Sequence, residues 1–312
     1  MSRKTSFKEQ MFRALNDLNC FGQSKYQAKL ESYRQGSKGK VKGIYSKKTM
    51  SDYKKVAEQF QSWSKNKGYN FKSLADVLDN HILQYLQERQ ATGKSAWTVS
   101  RDLSALNKIF GREISKKGTD LKSRKNADIK NNRGLGNNYR PSIYKKNKEL
   151  THFLSATGIR RQSITVVSPA DAIRDGQGTV IGFSVIEKGG KPRNCYVIKD
   201  KQEAITSFVD KQQSKNGDKP FWNKADKNLN THWYRAEYAK ALYSDLVSAQ
   251  NNKQDYFNGY RDFFVNSSRL ELTTKRHNQT VKGYDVECLG VVSQCLGHNR
   301  IDVVYSNYLS RF

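Results

Sequence analysis

The sequence predicts a mainly α-helical chain with one small β-hairpin or sheet, divided into two domains. Three observations predict this. Apolar residues recur at helical spacing between residues 49 and 110, a basic stretch nearly free of core residues follows, and alternating β-branched residues later flank a Gly-Gly turn. At 312 residues the chain is long enough for two cores. A hydrophobic share of 36% and a charged share of 27% are those of a globular protein rather than a disordered one.

Residues 1–45 are basic and spotted with Gly and Ser, as in QGSKGKVKG, and are expected to form an N-terminal arm or a loosely packed first helix. Residues 46–115 read as a small all-helical domain. Met50, Tyr53, Val56, Phe60 and Trp63 mark its first helix; Leu74, Val77, Leu78, Ile82, Tyr85 and Leu86 mark a second, ending at Gly93. Ser95 suits the N-cap of a third helix, which buries Val99, Leu103, Leu106 and Phe110. Along that helix Lys94, Arg101, Lys108 and Arg112, spaced seven, seven and four apart, form a basic stripe. Residues 116–148 are rich in Lys, Asn and Gly and read as an interdomain linker. Its Lys122, Arg124 and Arg140 can lie along a phosphate backbone.

Residues 149–312 form the second domain. GTVIGFSVIE and PRNCYVI, joined by KGGK, are its hairpin, and most of the remainder reads as helix. Near the end, Asp285 suits the cap of a helix carrying Val286, Leu289, Val292, Cys295 and Leu296, and Gly297 suits its termination. His298 is thereby presented at a turn, with Tyr305 and Tyr308 on the next short element.

The charge balance points to a polyanionic partner. Lys plus Arg number 56 against 29 Asp plus Glu, a formal +27, and nucleic acid is the commonest such partner. On that ground the basic stripe reads as phosphate contacts rather than only a solvated face. No run of apolar residues is long enough to span a bilayer, so no membrane partner is expected. MSRKTSFKEQMF lacks the apolar core of a secretory signal. The four scattered cysteines, Cys20, Cys195, Cys288 and Cys295, read as free thiols of a cytoplasmic protein. Cys288, Cys295 and His298 could begin a zinc site, but no fourth ligand is evident, so no metal or other cofactor is expected.

Four segments carry further information in their order: SATGIRRQSITVV (155–167), EKGGKPR (187–193), THWYRAEYAKALY (231–243), and LGH followed by tyrosines. Together they resemble the catalytic domain of tyrosine recombinases, the phage-integrase family, and HWYRAEYA is especially similar to integrases of integrative mobile elements. The helical residues 49–110 resemble that family's core-binding domain, so the resemblance spans roughly 46–310. It implies a two-domain DNA clamp made of a helical core-binding (SAM-like) domain and an α+β catalytic domain. It implies duplex DNA as partner, assembly as a homotetramer on recombination sites, and room for accessory DNA-bending proteins.

The resemblance implies Arg160, Lys188, His232, Arg235, His298 and Tyr308 as the catalytic set. Arg161 is the register alternative to Arg160. The family tyrosine follows its LGH histidine at a spacing between those of Tyr305 and Tyr308, seven and ten residues after His298; Tyr308 is the expected nucleophile and Tyr305 the alternative. The family also carries an acid a few residues after its first arginine, and RRQSI has none. Support for Arg160 is therefore expected from elsewhere.

These residue types suit the implied reaction. A tyrosine hydroxyl attacks the scissile phosphate and forms a 3′-phosphotyrosine, which conserves the bond energy for rejoining. Two guanidinium forks suit the charge spread over the non-bridging oxygens. Lys188 is the expected general acid for the leaving 5′-oxygen, His232 the acceptor of the phenolic proton, and His298 a phosphate donor. A recombinase-like regulator that binds without cutting, and a type IB topoisomerase, are the alternative readings.

A DNA-binding surface of this charge predicts steep salt dependence. With about 6–10 phosphates contacted, affinity for duplex DNA falls on the order of 10³–10⁵-fold between 50 and 200 mM salt. Fluorescence anisotropy over a salt series measures it, and a flat profile contradicts the nucleic-acid reading.

Overall fold

The computed structural model describes residues 5–37, 41–125, 128, 141–187, 190–252, 279–298 and 300–309. The chain divides into two compact units, Met1–Ile129 and Lys130–Phe312. The architecture is mainly helical with a small antiparallel sheet, as the sequence predicts.

Unit 1 contains α1 (Phe7–Asn16), α2 (Lys25–Arg34), α3 (Lys47–Asn66), α4 (Asp79–Ala91) and α5 (Ala96–Ile109). Its core is aromatic. Phe60 on α3 is surrounded by the rings of Trp63, Phe71, Tyr85 and Phe110 at centroid distances of 5.3–6.5 Å. Ser95 caps α5 by accepting a hydrogen bond from the Thr98 amide, as its position in the sequence suggests.

At three places the described residues add to or differ from the sequence expectation. Of residues 1–45, expected as an arm or a loosely packed first helix, α1 is a closely packed helix: its Phe7, Met11 and Leu15 are buried in the same core as Phe60, and Ile44 joins them at 1% exposure. A backbone bridge between Asn19 and Ile44 ties the returning chain to the end of α1. In the sequence the Gly- and Lys-rich stretch QGSKGKVKG draws the eye, while Phe7, Met11 and Leu15 of α1 stand at helical spacing. Second, residues 74–86 are not one helix. The Ser73 and Asp76 side chains close a capping box around a single 3₁₀ turn at Leu74–Asp76, and α4 starts afresh at Asp79, leaving Leu78 exposed. Third, both ends of the 116–148 stretch are structured. Leu121 is buried in the unit 1 core, Lys116 Nζ donates to the Lys122 carbonyl at 2.8 Å, and Pro141–Lys146 is a short helix, α6.

Unit 2 continues with α7 (Lys148–Thr157), β1 (Ala172–Arg174), β2 (Val180–Glu187), β3 (Lys191–Tyr196), α8 (Gln202–Asn216) and α9 (Thr231–Asn251). After it come β4 (Thr280–Val281), β5 (Tyr284–Asp285), α10 (Val286–Cys295), α11 (Ile301–Val304) and a π-helical turn, Tyr305–Leu309. The β2–β3 hairpin is antiparallel with Glu187 opposite Lys191 and Val185 opposite Arg193, and β1 adds to the free side of β2. One apolar cluster packs α7 against β2 and α8; another packs α9 against α10 and the Tyr305–Leu309 turn.

Because α1 is core, shortening it is costly. Met11→Ala should destabilise the unit by about 2–5 kcal/mol, read as a lowered urea midpoint of the full chain. A change within error would return residues 1–45 to the status of an arm.

Candidate active site

The site is built on the C-terminus of α10. Asp285 caps the start of this helix by accepting from the Cys288 amide at 2.8 Å. At its end Gly297 adopts φ +64°, a left-handed conformation that suits glycine. The Gly297 amide donates to the Gln294 carbonyl at 2.7 Å and the His298 amide to the Ser293 carbonyl at 2.9 Å. This is a Schellman closure. It fixes His298 immediately beyond the helix and leaves the last carbonyls, of Cys295 and Leu296, open to other donors.

Three guanidinium groups fill that role. Arg193 Nη1 donates to the Cys295 carbonyl, while Arg160 Nη2, at 3.0 Å, and Arg235 Nη2 both donate to the Leu296 carbonyl. A helix C-terminus carries partial negative charge and unsatisfied carbonyls, so it draws cations. Each arginine arrives from a different element. Arg235 lies on the second turn of α9 and is 1% exposed. Its Nη1 donates to the carbonyl of Gly158, the left-handed residue that ends α7. Only glycine fits there: a Cβ on Gly158 would lie 2.3 Å from the Tyr238 ring. Arg160 follows two residues later in extended backbone. Arg161, next to it, points elsewhere: its Nη1 donates to the Asp226 carbonyl at 2.8 Å and its Nη2 to the Leu229 carbonyl, anchoring the loop before α9. Arg160 is the extended residue that precedes a 3₁₀ turn opened by Arg161, and the two side chains go to different partners.

Tyr308 enters from the π-helical turn. Its side chain is 1% exposed; its Oη lies 3.0 Å from His298 Nε2 and accepts from Arg235 Nε at 3.4 Å. Tyr305 packs against the apolar cluster of α9 and α10, with the Lys282 ammonium 5.4 Å from its ring centroid. His232 is exposed on the first turn of α9, three residues before Arg235. Lys188 lies outside the described residues. The structure thus brings together Arg160, Arg235, His298 and Tyr308.

Two partners were not foreseen from the sequence. Glu187, at the end of β2, is buried; Oε1 accepts from Arg193 Nη2 at 2.6 Å and Oε2 pairs with Arg160 Nη1. Arg160, Glu187, Lys191, Arg193 and Gly297 line a cavity of about 190 Å³. With one carboxylate among two guanidiniums and an ammonium, the lining favours an anion. Burial, with the neighbouring charges of Arg235 and Arg193, pushes the Arg160 pKa down to about 9. An anionic oxygen in the cavity would oppose that shift. The signal for Glu187 and Arg193 was the strand alternation: Phe183, Val185 and Glu187 share the buried face of β2, opposite Cys195, Arg193 and Lys191.

In unit 1 the basic stripe is partly engaged. Lys94, Lys122 and Arg124 are exposed, and Arg140 lies outside the described residues. Arg101 and Arg89 hold the fully buried Asp102 at 2.8 and 2.9 Å, and Arg112 sits 3.5 Å from Asp79. Lys108 Nζ donates to the Lys42 carbonyl, and burial lowers its pKa. Among the described residues no group of His, Cys, Asp or Glu could hold a metal ion, and no helix is long and apolar enough to cross a membrane.

No curated protein matches the chain. Among solved structures it is similar to XerH site-specific recombinase bound to difH substrate in a pre-cleavage complex, at 15% identity over 98% of this chain and 94% of that one, with a TM-score of 0.48. A XerH post-cleavage complex on palindromic difH gives 14% identity, 97% and 93% coverage and a TM-score of 0.47; XerA recombinase gives 14%, 91%, 93% and 0.31. Residues 40–117 match the family model described as phage integrase, N-terminal SAM-like domain. The helical residues of unit 1 are thus similar to the N-terminal SAM-like domain of phage integrases.

Proposed function

We propose that the chain is a site-specific DNA recombinase, the integrase of a mobile element, which cuts and rejoins duplex DNA through a phosphotyrosine on Tyr308 and acts as a homotetramer on its recombination sites. The observation that carries this reading is the meeting of Arg160, Arg235, His298 and Tyr308 at the end of one helix. Three stretches far apart in sequence supply them, at residue 160, at residue 235 and at residues 298–308.

In the proposed cleavage step Tyr308 Oη forms a bond to the scissile phosphorus and the bond to the 5′-oxygen breaks. Arg160 and Arg235 exchange the Leu296 carbonyl for non-bridging phosphate oxygens, where planar guanidinium forks stabilise the developing charge. His298, 3.0 Å from the phenol oxygen, takes the phenolic proton in the tautomer that leaves Nε2 unprotonated. That is the part the sequence reading gave to His232, which remains the site's second imidazole, one turn from Arg235. Lys188 of the hairpin turn protonates the leaving 5′-oxygen. Rejoining reverses these transfers with a 5′-hydroxyl from the partner strand. Lys94, Lys122 and Arg124, exposed on unit 1, join the phosphate contacts.

Covalent trapping tests the reading. Duplexes selected for binding from a random-sequence pool are nicked at successive positions, so that the short 5′ fragment diffuses away after cleavage. Wild type and Tyr305→Phe should leave a protein–DNA adduct on a denaturing gel, and Tyr308→Phe none. Loss in Tyr305→Phe alone moves the nucleophile. No adduct from a tightly bound site supports the non-cutting regulator, and relaxation of supercoiled DNA without strand exchange supports the topoisomerase.

A further inference from the structure

The family carries an acid shortly after its first arginine, and this chain has Ser163 in that neighbourhood instead. The fold returns a carboxylate to the same place from a different element. Ser163 Oγ donates to Glu187 Oε1 at 3.5 Å, and Glu187 in turn binds Arg160 and Arg193. Both the serine and the glutamate are buried, at 1% and 7% exposure. A buried carboxylate at the end of a hairpin strand has no stabilising role by itself, because its desolvation must be offset by its partners. Here both partners are guanidiniums of the cavity.

We propose that Glu187 is the positioning carboxylate of Arg160, supplied by β2 in place of the acid that is missing after it, and that it sets Arg193 beside Arg160 as a further phosphate-facing cation. It holds Arg160 from one oxygen and Arg193 from the other, so the two guanidiniums open onto the cavity as a preset pair. Arg193 also donates to the Cys295 carbonyl, which fixes it on the side away from Glu187. Gly297 lets both arginines lie close: a Cβ at that position would be 2.5 Å from Arg193 Cδ and 3.4 Å from Arg160 Nη1. The cavity between them takes a tetrahedral oxyanion, in DNA the phosphodiester. Glu187 does not touch the reacting atoms; it acts through Arg160.

Two opposed effects follow from removing this charge. The site loses the group that orients Arg160, and it gains net positive potential. The proposal requires the first effect to win, since a misplaced guanidinium loses its fork geometry toward phosphate.

The test uses the full chain and two probes: tungstate, an unreactive oxyanion, titrated by calorimetry at fixed salt, and the nicked duplex described above. Wild type, Glu187→Gln, Glu187→Asp and the double variant Ser163→Glu/Glu187→Ala are compared, with circular dichroism as the folding control. Glu187→Gln should weaken tungstate binding at least about tenfold and slow adduct formation on the order of 100-fold. The double variant, which moves the carboxylate to the neighbouring position, should regain most of both. A merely structural role of Glu187 in the hairpin would show no such rescue. If Glu187→Gln does not fold, Glu187→Asp and the double variant carry the comparison.

Unchanged or tighter tungstate binding in Glu187→Gln overturns the proposal, as does a folded double variant without rescue. A wild type that binds no tungstate overturns it as well. The inference rests on the recombinase reading for its substrate, and the two probes separate their failures. A wild type without DNA adduct, whose tungstate binding nevertheless follows the Glu187 series, removes the recombinase reading and keeps the positioning carboxylate.

Discussion

Unit 2 depends on the carbonyl end of one helix. The Schellman closure at Gly297 uses the amides of Gly297 and His298 but leaves the Cys295 and Leu296 carbonyls as acceptors. Arg160, Arg193 and Arg235 occupy them. Those three arginines come from the segment after α7, from β3 and from α9, so the end of α10 is where the two apolar clusters of the unit are joined by polar contacts. Hydrophobic packing alone would bring these elements together without fixing their registry. The directional donors of the guanidinium groups do fix it.

Burying so much positive charge would be unfavourable without compensation. It comes from Glu187, from the partial charge of the helix end and from the backbone carbonyls of Gly158, Cys295 and Leu296. The compensation is incomplete by design of the charges: three guanidiniums face one carboxylate. Functional sites commonly keep such an imbalance while the surrounding packing holds it in place. Here the packing is the buried face of α9, where Arg235 lies among Ala236, Tyr238, Ala239 and Leu242.

Unit 1 solves a similar problem in the opposite sense. Asp102 is fully buried on α5 and takes a guanidinium on each oxygen, from Arg89 and Arg101. One position of the basic stripe is thereby tied to the fold, and Lys108 is tied to the Lys42 carbonyl. Charge that looks uniform along a helix thus divides into residues that hold the unit together and residues, such as Lys94, that face solvent.

The sequence by itself determined the elements whose reasons are local. Ser95 and Asp285 cap their helices through their own side chains, Gly297 ends α10 because its backbone needs a positive φ, and the hairpin follows from strand alternation around Gly-Gly. Local reasoning stopped where neighbours far along the chain decide. Residues 7–15 are core only because Ile44, α3 and α5 cover them, and 74–86 breaks because one Ser–Asp box outcompetes helical periodicity. At the candidate site, motif order named Arg160, Arg235, His298 and Tyr308, with Tyr305 and Arg161 as alternatives, but it could not say which of these side chains meet. Which of them meet depends on which way each side chain points once the backbone is folded. Glu187 stayed hidden for the same reason: its meaning lies in Arg160 and Arg193, which only tertiary folding brings to its two oxygens.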